Sequence, residues 1–278
     1  MVLDYHIHIE KVPYSKDRLM KFLDTGLRRG VSEFCITEHI HQFHEAKSFL
    51  LRSIKRMRRE DIVDTWLYEH FNESVESYIN FIDYFKNKGY PIKLGCELDY
   101  FEGGEEWIRS FTDKYPWDFV LGSLHWVNGW SIDNPDNIGL WENRVDDIYP
   151  KYFLLVKKAA LSRLFNVIAH FDLVKLFGFQ PDNSWQGIVE EVIKTIANNG
   201  IGIEVNTGGL RKPVKEIYPS KEILNLCKQY NVYITLGSDA HRPEDVGRDF
   251  GKAIRLLKQV GYNKVSKFKN RVREEISL

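Results

Sequence analysis

The sequence predicts an α/β protein whose parallel strands close into a barrel. Two observations carry the prediction. Short apolar runs recur seven times, most of them continuous rather than alternating, as expected of parallel strands buried on both faces. Segments with helical spacing separate them, and the even alternation of strand and helix favours a closed sheet over an open one.

The elements follow in order. The first run covers residues 2–9. Ser15 then opens a helix with Leu19, Phe22, Leu23 and Leu27 on one stripe, and Gly30 closes it. The second strand covers 33–37, the third 92–98, the fourth 119–124, the fifth 167–170, the sixth 201–206 and the seventh 232–237. Ser220 caps a helix carrying Ile223, Leu224 and Cys227, and 244–260 has helical spacing that ends at Gly261. Two segments exceed a simple crossover: 44–88 holds two helical patterns, and 129–165 a polar loop and a helix. Both read as helical insertions packed over one end of the barrel, where they shape a substrate pocket.

At 278 residues, with 43% hydrophobic residues, the chain has ample material for a large core. No linker, repeat or low-complexity stretch divides it, so a single domain over 1–278 is expected. A net charge of zero argues against nucleic acid as a partner. No stretch approaches the roughly 18 to 20 apolar residues of a membrane span, and the N-terminus lacks the pattern of a signal peptide. Cys35, Cys96 and Cys227 are few, odd in number and set in apolar surroundings, which reads as reduced thiols in a cytoplasmic protein. Oligomeric state is not legible.

The strand ends concentrate the chemistry. The first ends in His6 and His8, which share a face because strand side chains alternate. The second runs into His39 and His41, the third into Glu97, the fourth into His125, the fifth into His170, and the seventh into Asp239 and His241. Of nine histidines, only His44 and His70 fall elsewhere. In α/β barrels the C-terminal strand ends build the active site. Nitrogen and carboxylate donors without cysteine suit zinc, manganese or iron(II). They are too many for one ion, so a cluster of two or three metals with a bridging carboxylate is expected. Such clusters hydrolyse phosphate esters or amides by lowering the pKa of a bound water from 15.7 to about 7.

The motifs Asp4-Tyr5-His6-Ile7-His8, Thr37-Glu38-His39, Gly95-Cys96-Glu97, Gly122-Ser123-Leu124-His125, Ala169-His170 and Gly237-Ser238-Asp239-Ala240-His241 together resemble the polymerase and histidinol phosphatase (PHP) superfamily. They occur in the family's order across nearly the whole chain. The resemblance implies a distorted (β/α)7 barrel, TIM-barrel-like, with a trinuclear metal site. The long insertions, the run 122–136 with Asp133-Asn134-Pro135, and SDAHRPEDVG at 238–247 are similar to the stand-alone histidinol-phosphate phosphatases. The implied activity is hydrolysis of L-histidinol phosphate to L-histidinol and phosphate in histidine biosynthesis, by a hydroxide bridging the metals. The alternatives are another small phosphomonoester or a nucleotide as substrate, and a non-catalytic metal-binding module.

Carried over by motif, His6, His8, Glu97 and Asp239 hold the first metal, and a bridging Glu97 with His125 and His170 the second. His39 and His241 hold the third. Many members place a further ligand eight residues after the first histidine, where this chain has Tyr14; Glu10 is the nearest hard ligand and is assigned instead. A phosphate dianion calls for a guanidinium fork, and Arg211, in the glycine-bearing loop after the sixth strand, is the first candidate. Lys175 and Arg242 are further candidates. Asp239 or His241 passes a proton to the leaving alkoxide. Trp126, Trp130 and Asp133 form the pocket wall, with Asp133 near a substrate amine. His41 and His44 read as solvated or packing residues and His70 as structural. Arg52, Lys55, Arg56, Arg58 and Arg59, followed by Glu60, Asp61 and Asp64, read as a solvated helix face.

Overall fold

The computed structural model of the chain describes residues 1–10, 13–56, 70–141, 144–182 and 185–278. Seven parallel strands form one sheet in sequence order: β1 (Val2–Ile7), β2 (Val31–His39), β3 (Ile92–Asp99), β4 (Phe119–Ser123), β5 (Val167–Ile168), β6 (Gly202–Asn206) and β7 (Ile234–Gly237). The side chains of β4 to β7 are buried throughout, as the continuous apolar runs require. The sheet curls until its edges meet just past β7. There the Ala240 N–H donates to the His6 carbonyl at 3.3 Å and the His8 N–H to the Ala240 carbonyl at 2.9 Å. This short seam closes a distorted seven-stranded barrel, the architecture the sequence predicted.

Helices α1 (Lys16–Arg28), α2 (Lys47–Arg56), α3 (Val75–Asn87), α4 (Glu105–Lys114), α5 (Val145–Ser162), α6 (Gln186–Asn198), α7 (Lys221–Gln229) and α8 (Phe250–Val260) complete the seven strand–helix units. Ser15, Ser74 and Ser220 each accept a backbone N–H from the first turn of α1, α3 and α7. Within the first long segment α3 is the crossover helix: its Tyr78 hydroxyl reaches the carbonyls of Ile36 on β2 and Gly95 on β3. What is inserted is the stretch from Ile40 through α2. In the second long segment α5 packs against α6, and the inserted part is the loop from Trp126 to Trp141, with its two-residue ribbon and helical turn.

Two expectations change in detail, and one element was not expected. Leu27 is 52% exposed, and the buried stripe of α1 is Leu19, Phe22, Leu23 and Gly26. Gly26 lies so close to β2 that a Cβ there would stand 2.2 Å from the Phe34 ring, so the helix turns its smallest residue to the sheet. The helix expected over 244–260 begins only at Phe250, because the Gly247 N–H is held by Asp4 Oδ2 at 2.9 Å and Asp249 takes a left-handed φ of 63°. A C-terminal hairpin, β8 (Lys264–Lys269) with β9 (Val272–Ser277), was not legible in its polar sequence. It covers the N-terminal end of the barrel. Phe268 packs on Phe119 (ring centroids 4.8 Å) and Tyr5 (6.1 Å), and its N–H donates to the Tyr5 hydroxyl. Of the basic run, Arg52, Lys55 and Arg56 lie on α2; Arg58, Arg59, Glu60, Asp61 and Asp64 lie outside the described residues.

Phe268 ties this hairpin to the barrel floor. Phe268→Ala should lower the unfolding free energy by about 3 kcal/mol in urea denaturation while leaving the opposite end of the barrel unchanged. A loss below about 1 kcal/mol would show that the hairpin is not part of the cooperative core.

Candidate metal centre

At the C-terminal end of the barrel the strand termini converge on one carboxylate. Glu97, on β3, is 1% exposed. Its oxygens lie 3.2 Å from His6 Nε2, 3.3 Å from His8 Nε2, 2.9 Å from His39 Nδ1, 3.6 Å from His125 Nε2 and 3.1 Å from His170 Nε2. Parallel register sets His39 directly beside Glu97, and alternation on β1 sends both His6 and His8 into the lumen. Asp239 Oδ1, two residues past β7, is 3.6 Å from His6 Nε2, 3.7 Å from His8 Nε2 and 3.3 Å from His241 Nε2. The His8 ring lies nearly parallel to those of His39 (centroids 4.1 Å) and His241 (4.5 Å), which are themselves 5.8 Å apart.

Three groups present donor atoms within 4.8 Å of one another: His6 with His8 and Glu97; Glu97 with His125 and His170; and His8 with His39 and His241. Glu97 belongs to two of them. Neither ring nitrogen of His8, nor His170 Nδ1, has a hydrogen-bond partner, although all are buried. An unmet buried polar atom costs about 1–3 kcal/mol, a cost that a bound cation removes. The donors are imidazole and carboxylate, and the three cysteines are free, buried and outside every group. The site therefore fits divalent cations.

The electrostatics follow from crowding. Burial works against a charge on Glu97, but His39, His6 and His170 outweigh it and hold its carboxyl well below the usual range. Burial likewise opposes charge on His6, and the carboxylates of Glu204, Asp239 and Glu97 raise its pKa well above normal. His125 is pushed up to about 10, Asp99 overcoming burial. His8 goes the other way, lowered by burial and by the charges of His39 and His241. Two of the converging side chains sit on strained backbone, His170 at φ 23° and Asp239 at φ 54°. The Asp239 turn is held from both sides. Asp4 Oδ1 accepts the Ser238 N–H at 2.9 Å, and Arg211 Nη2 donates to the carbonyls of Ser238 (2.6 Å) and Asp239 (3.1 Å).

A cavity of about 1190 Å³ opens over the cluster, lined among others by Asp133, Arg211, Tyr218 and Arg242. Glu10, assigned as a ligand, does not continue the face of His6 and His8: β1 ends at Ile7, and Glu10 lies beyond it at φ 34°. It reaches the centre through His241, with Oε1 2.8 Å from Nδ1. Tyr14 is partly buried against Tyr78 and Phe81 and fills its position by packing. Lys175, expected at the substrate, is instead buried beneath the cavity wall between Asp172 (2.9 Å) and Glu216 (2.8 Å). Its ammonium is spent on neutralising Asp172. His41 stacks on His39 at 4.6 Å, a packing role. The Trp130 side chain lies outside the described residues.

Sequence reading missed an outer set of acids. Asp99 Oδ1 lies 2.8 Å from His125 Nδ1, and Glu204 Oε1 lies 2.7 Å from His6 Nδ1. Glu204 is an acid inside an apolar run and Asp99 is a buried acid two residues after Glu97 at the end of β3, and those acids were the available signal.

The PHP domain matches residues 4–208. A protein of Deinococcus radiodurans named probable histidinol-phosphatase is 29% identical over 93% of each chain. One of Lactococcus lactis named histidinol-phosphatase is 25% identical over 96% of this chain and 94% of its own. The fold is similar to the crystal structure of a Lactococcus lactis histidinol phosphate phosphatase complexed with zinc, L-histidinol and phosphate (TM-score 0.72, 20% identity, 98% of both chains).

Removing the Lys175 ammonium leaves the Asp172 carboxylate buried without its counter-ion. Lys175→Met should therefore cost about 3 kcal/mol of stability in urea denaturation with metal content unchanged. A stable variant that has lost metal would instead return Lys175 to the site.

Proposed function

The chain belongs to the PHP domain family, and we propose that it is a metal-dependent phosphatase that hydrolyses L-histidinol phosphate to L-histidinol and phosphate, a step of histidine biosynthesis. The observation that carries the reading is the convergence of five imidazoles on Glu97 at the floor of an open cavity. The relatives that bear the name histidinol-phosphatase align over nearly the full length of the chain, which supports the same substrate.

In this proposal His6, His8, Glu97 and Asp239 hold one ion, Glu97 with His125 and His170 a second, and His39 with His241 a third. Glu10 supports the third group from the far side of the His241 ring. When bound, divalent cations neutralise the phosphate dianion and acidify the water that attacks phosphorus. Zinc, manganese and iron share this donor set; zinc is preferred because imidazole and carboxylate suit it and because the Lactococcus lactis structure contains it.

The protein's own groups do the rest. Asp239 or His241, both at the cavity wall, passes a proton to the leaving alkoxide. Arg211 divides its donors: Nη2 holds the Asp239 turn, Nε lies 3.5 Å from Asp245 Oδ1, and Nη1, 3.5 Å from the Thr207 carbonyl, is the donor assigned to the phosphate. Arg242 adds positive charge at the cavity wall, and Asp133 meets the substrate ammonium. No helix among the described residues is long and apolar enough to cross a membrane. A reducing, cytoplasmic setting belongs to the proposal, supported by three buried free thiols.

Phosphate release from histidinol phosphate should exceed that from a panel of phosphomonoesters and nucleotides by at least about 100-fold in kcat/KM, since a site that pairs buried polar groups with one substrate rejects analogues lacking the partner. Faster turnover of a nucleotide would replace the substrate and keep the chemistry. No turnover of any substrate after metal reconstitution would refute the enzyme.

A further inference from the structure

Glu204 is a member of none of the three convergent donor groups, yet it is fully buried in the barrel lumen. Burial of a carboxylate needs compensation, and here three donors supply it. His6 Nδ1 lies 2.7 Å from Oε1, while Oε2 accepts the backbone N–H of His170 at 2.9 Å and the side-chain amide of Asn206 at 3.0 Å. The amide cannot turn its oxygen toward Glu204, because that oxygen accepts the Gly208 N–H at 2.7 Å.

The contact crosses a strand. Glu204 is on β6 and His6 on β1, with β7 between them around the barrel. The gap is opened by Gly237 on β7. A Cβ at that position would stand 1.8 Å from Glu204 Oε1 and 2.7 Å from the Cβ of His6. Glycine is required there for space, to let one side chain pass to another.

We propose that Glu204 is the positioning residue of the metal centre, fixing His6 and His170 together through one carboxylate that reaches across Gly237. Its Oε1 holds the His6 proton on Nδ1, so that the lone pair of Nε2 points at Glu97 and Asp239. Its Oε2 anchors the backbone of His170 in its strained φ of 23°, which aims that ring at the other Glu97 oxygen. His6 and His170 belong to different convergent groups, so one outer acid sets the geometry of two. The requirement is for acceptors only. A glutamine of the same shape presents an NH2 to at least one of the three donors, and donor then faces donor. The inference rests on the metal reading above.

Zinc alone serves as the probe, measured by chelator competition in wild type and Glu204→Gln, with far-UV circular dichroism as the check on folding. The folded variant should lose roughly 10- to 100-fold in zinc affinity, the scale of lost outer partners. Gly237→Ala, which leaves Glu204 chemically intact but displaces it, should reproduce the loss. A folded Glu204→Gln that binds zinc as tightly as wild type would overturn the proposal. Should the variants not fold, nitrogen-15 spectra of zinc-loaded wild type decide. A hydrogen-bonded proton on His6 Nδ1 supports the relay, and a proton-free Nδ1 overturns it. Wild type that binds no zinc would overturn the metal reading itself, a result distinct from either.

Discussion

One buried carboxylate, Glu97, surrounded by five imidazole nitrogens at 2.9 to 3.6 Å, is the interaction on which the rest depends. An isolated anion at 1% exposure costs several kcal/mol, and crowded imidazoles without a shared partner repel once protonated. Both costs fall only when the ligands from five strands meet at one point. Strands β1 and β5 are not neighbours of β3, so their histidines arrive at Glu97 only because the sheet closes. The closing hydrogen bonds involve His6, His8 and Ala240, which adjoins Asp239. The seam of the barrel and the site are the same stretch of chain.

The surroundings hold this point rigid at local cost. His170 and Asp239 sit at positive φ, where a non-glycine residue is strained by about 1–3 kcal/mol. Their turns persist because buried groups brace them. Asp4 takes the N–H groups of Ser238 and Gly247, Glu204 takes that of His170, and Arg211 clamps the carbonyls beyond β7. Asp4 thereby also delays the start of α8, so a gap in the outer helical layer traces back to the site.

The side chains that converge on Glu97 were legible in the sequence because their signal is local. A histidine or acid at the end of an apolar run needs no knowledge of tertiary contact, and alternation alone pairs His6 with His8. What was not legible depended on distance in space. Glu204 and Asp99 look like stray acids until His6 and His125 are placed beside them. Lys175 lies close after His170 in sequence, yet the turn beyond β5 directs it away toward Asp172. Glu10 was assigned by extending the face of His6 and His8 two residues further, but the strand stops at Ile7. The C-terminal hairpin buries little beyond Val265, Ser266 and Phe268, too few for a strand pattern to emerge.

The central claim is that one carboxylate holds the cluster together. Zinc analysis of Glu97→Ala, with the fold verified by circular dichroism, tests it most directly. Glu97 serves two of the three groups, so the account predicts a loss of at least two zinc equivalents relative to wild type. Retention of wild-type zinc content, or loss of a single ion, would contradict it.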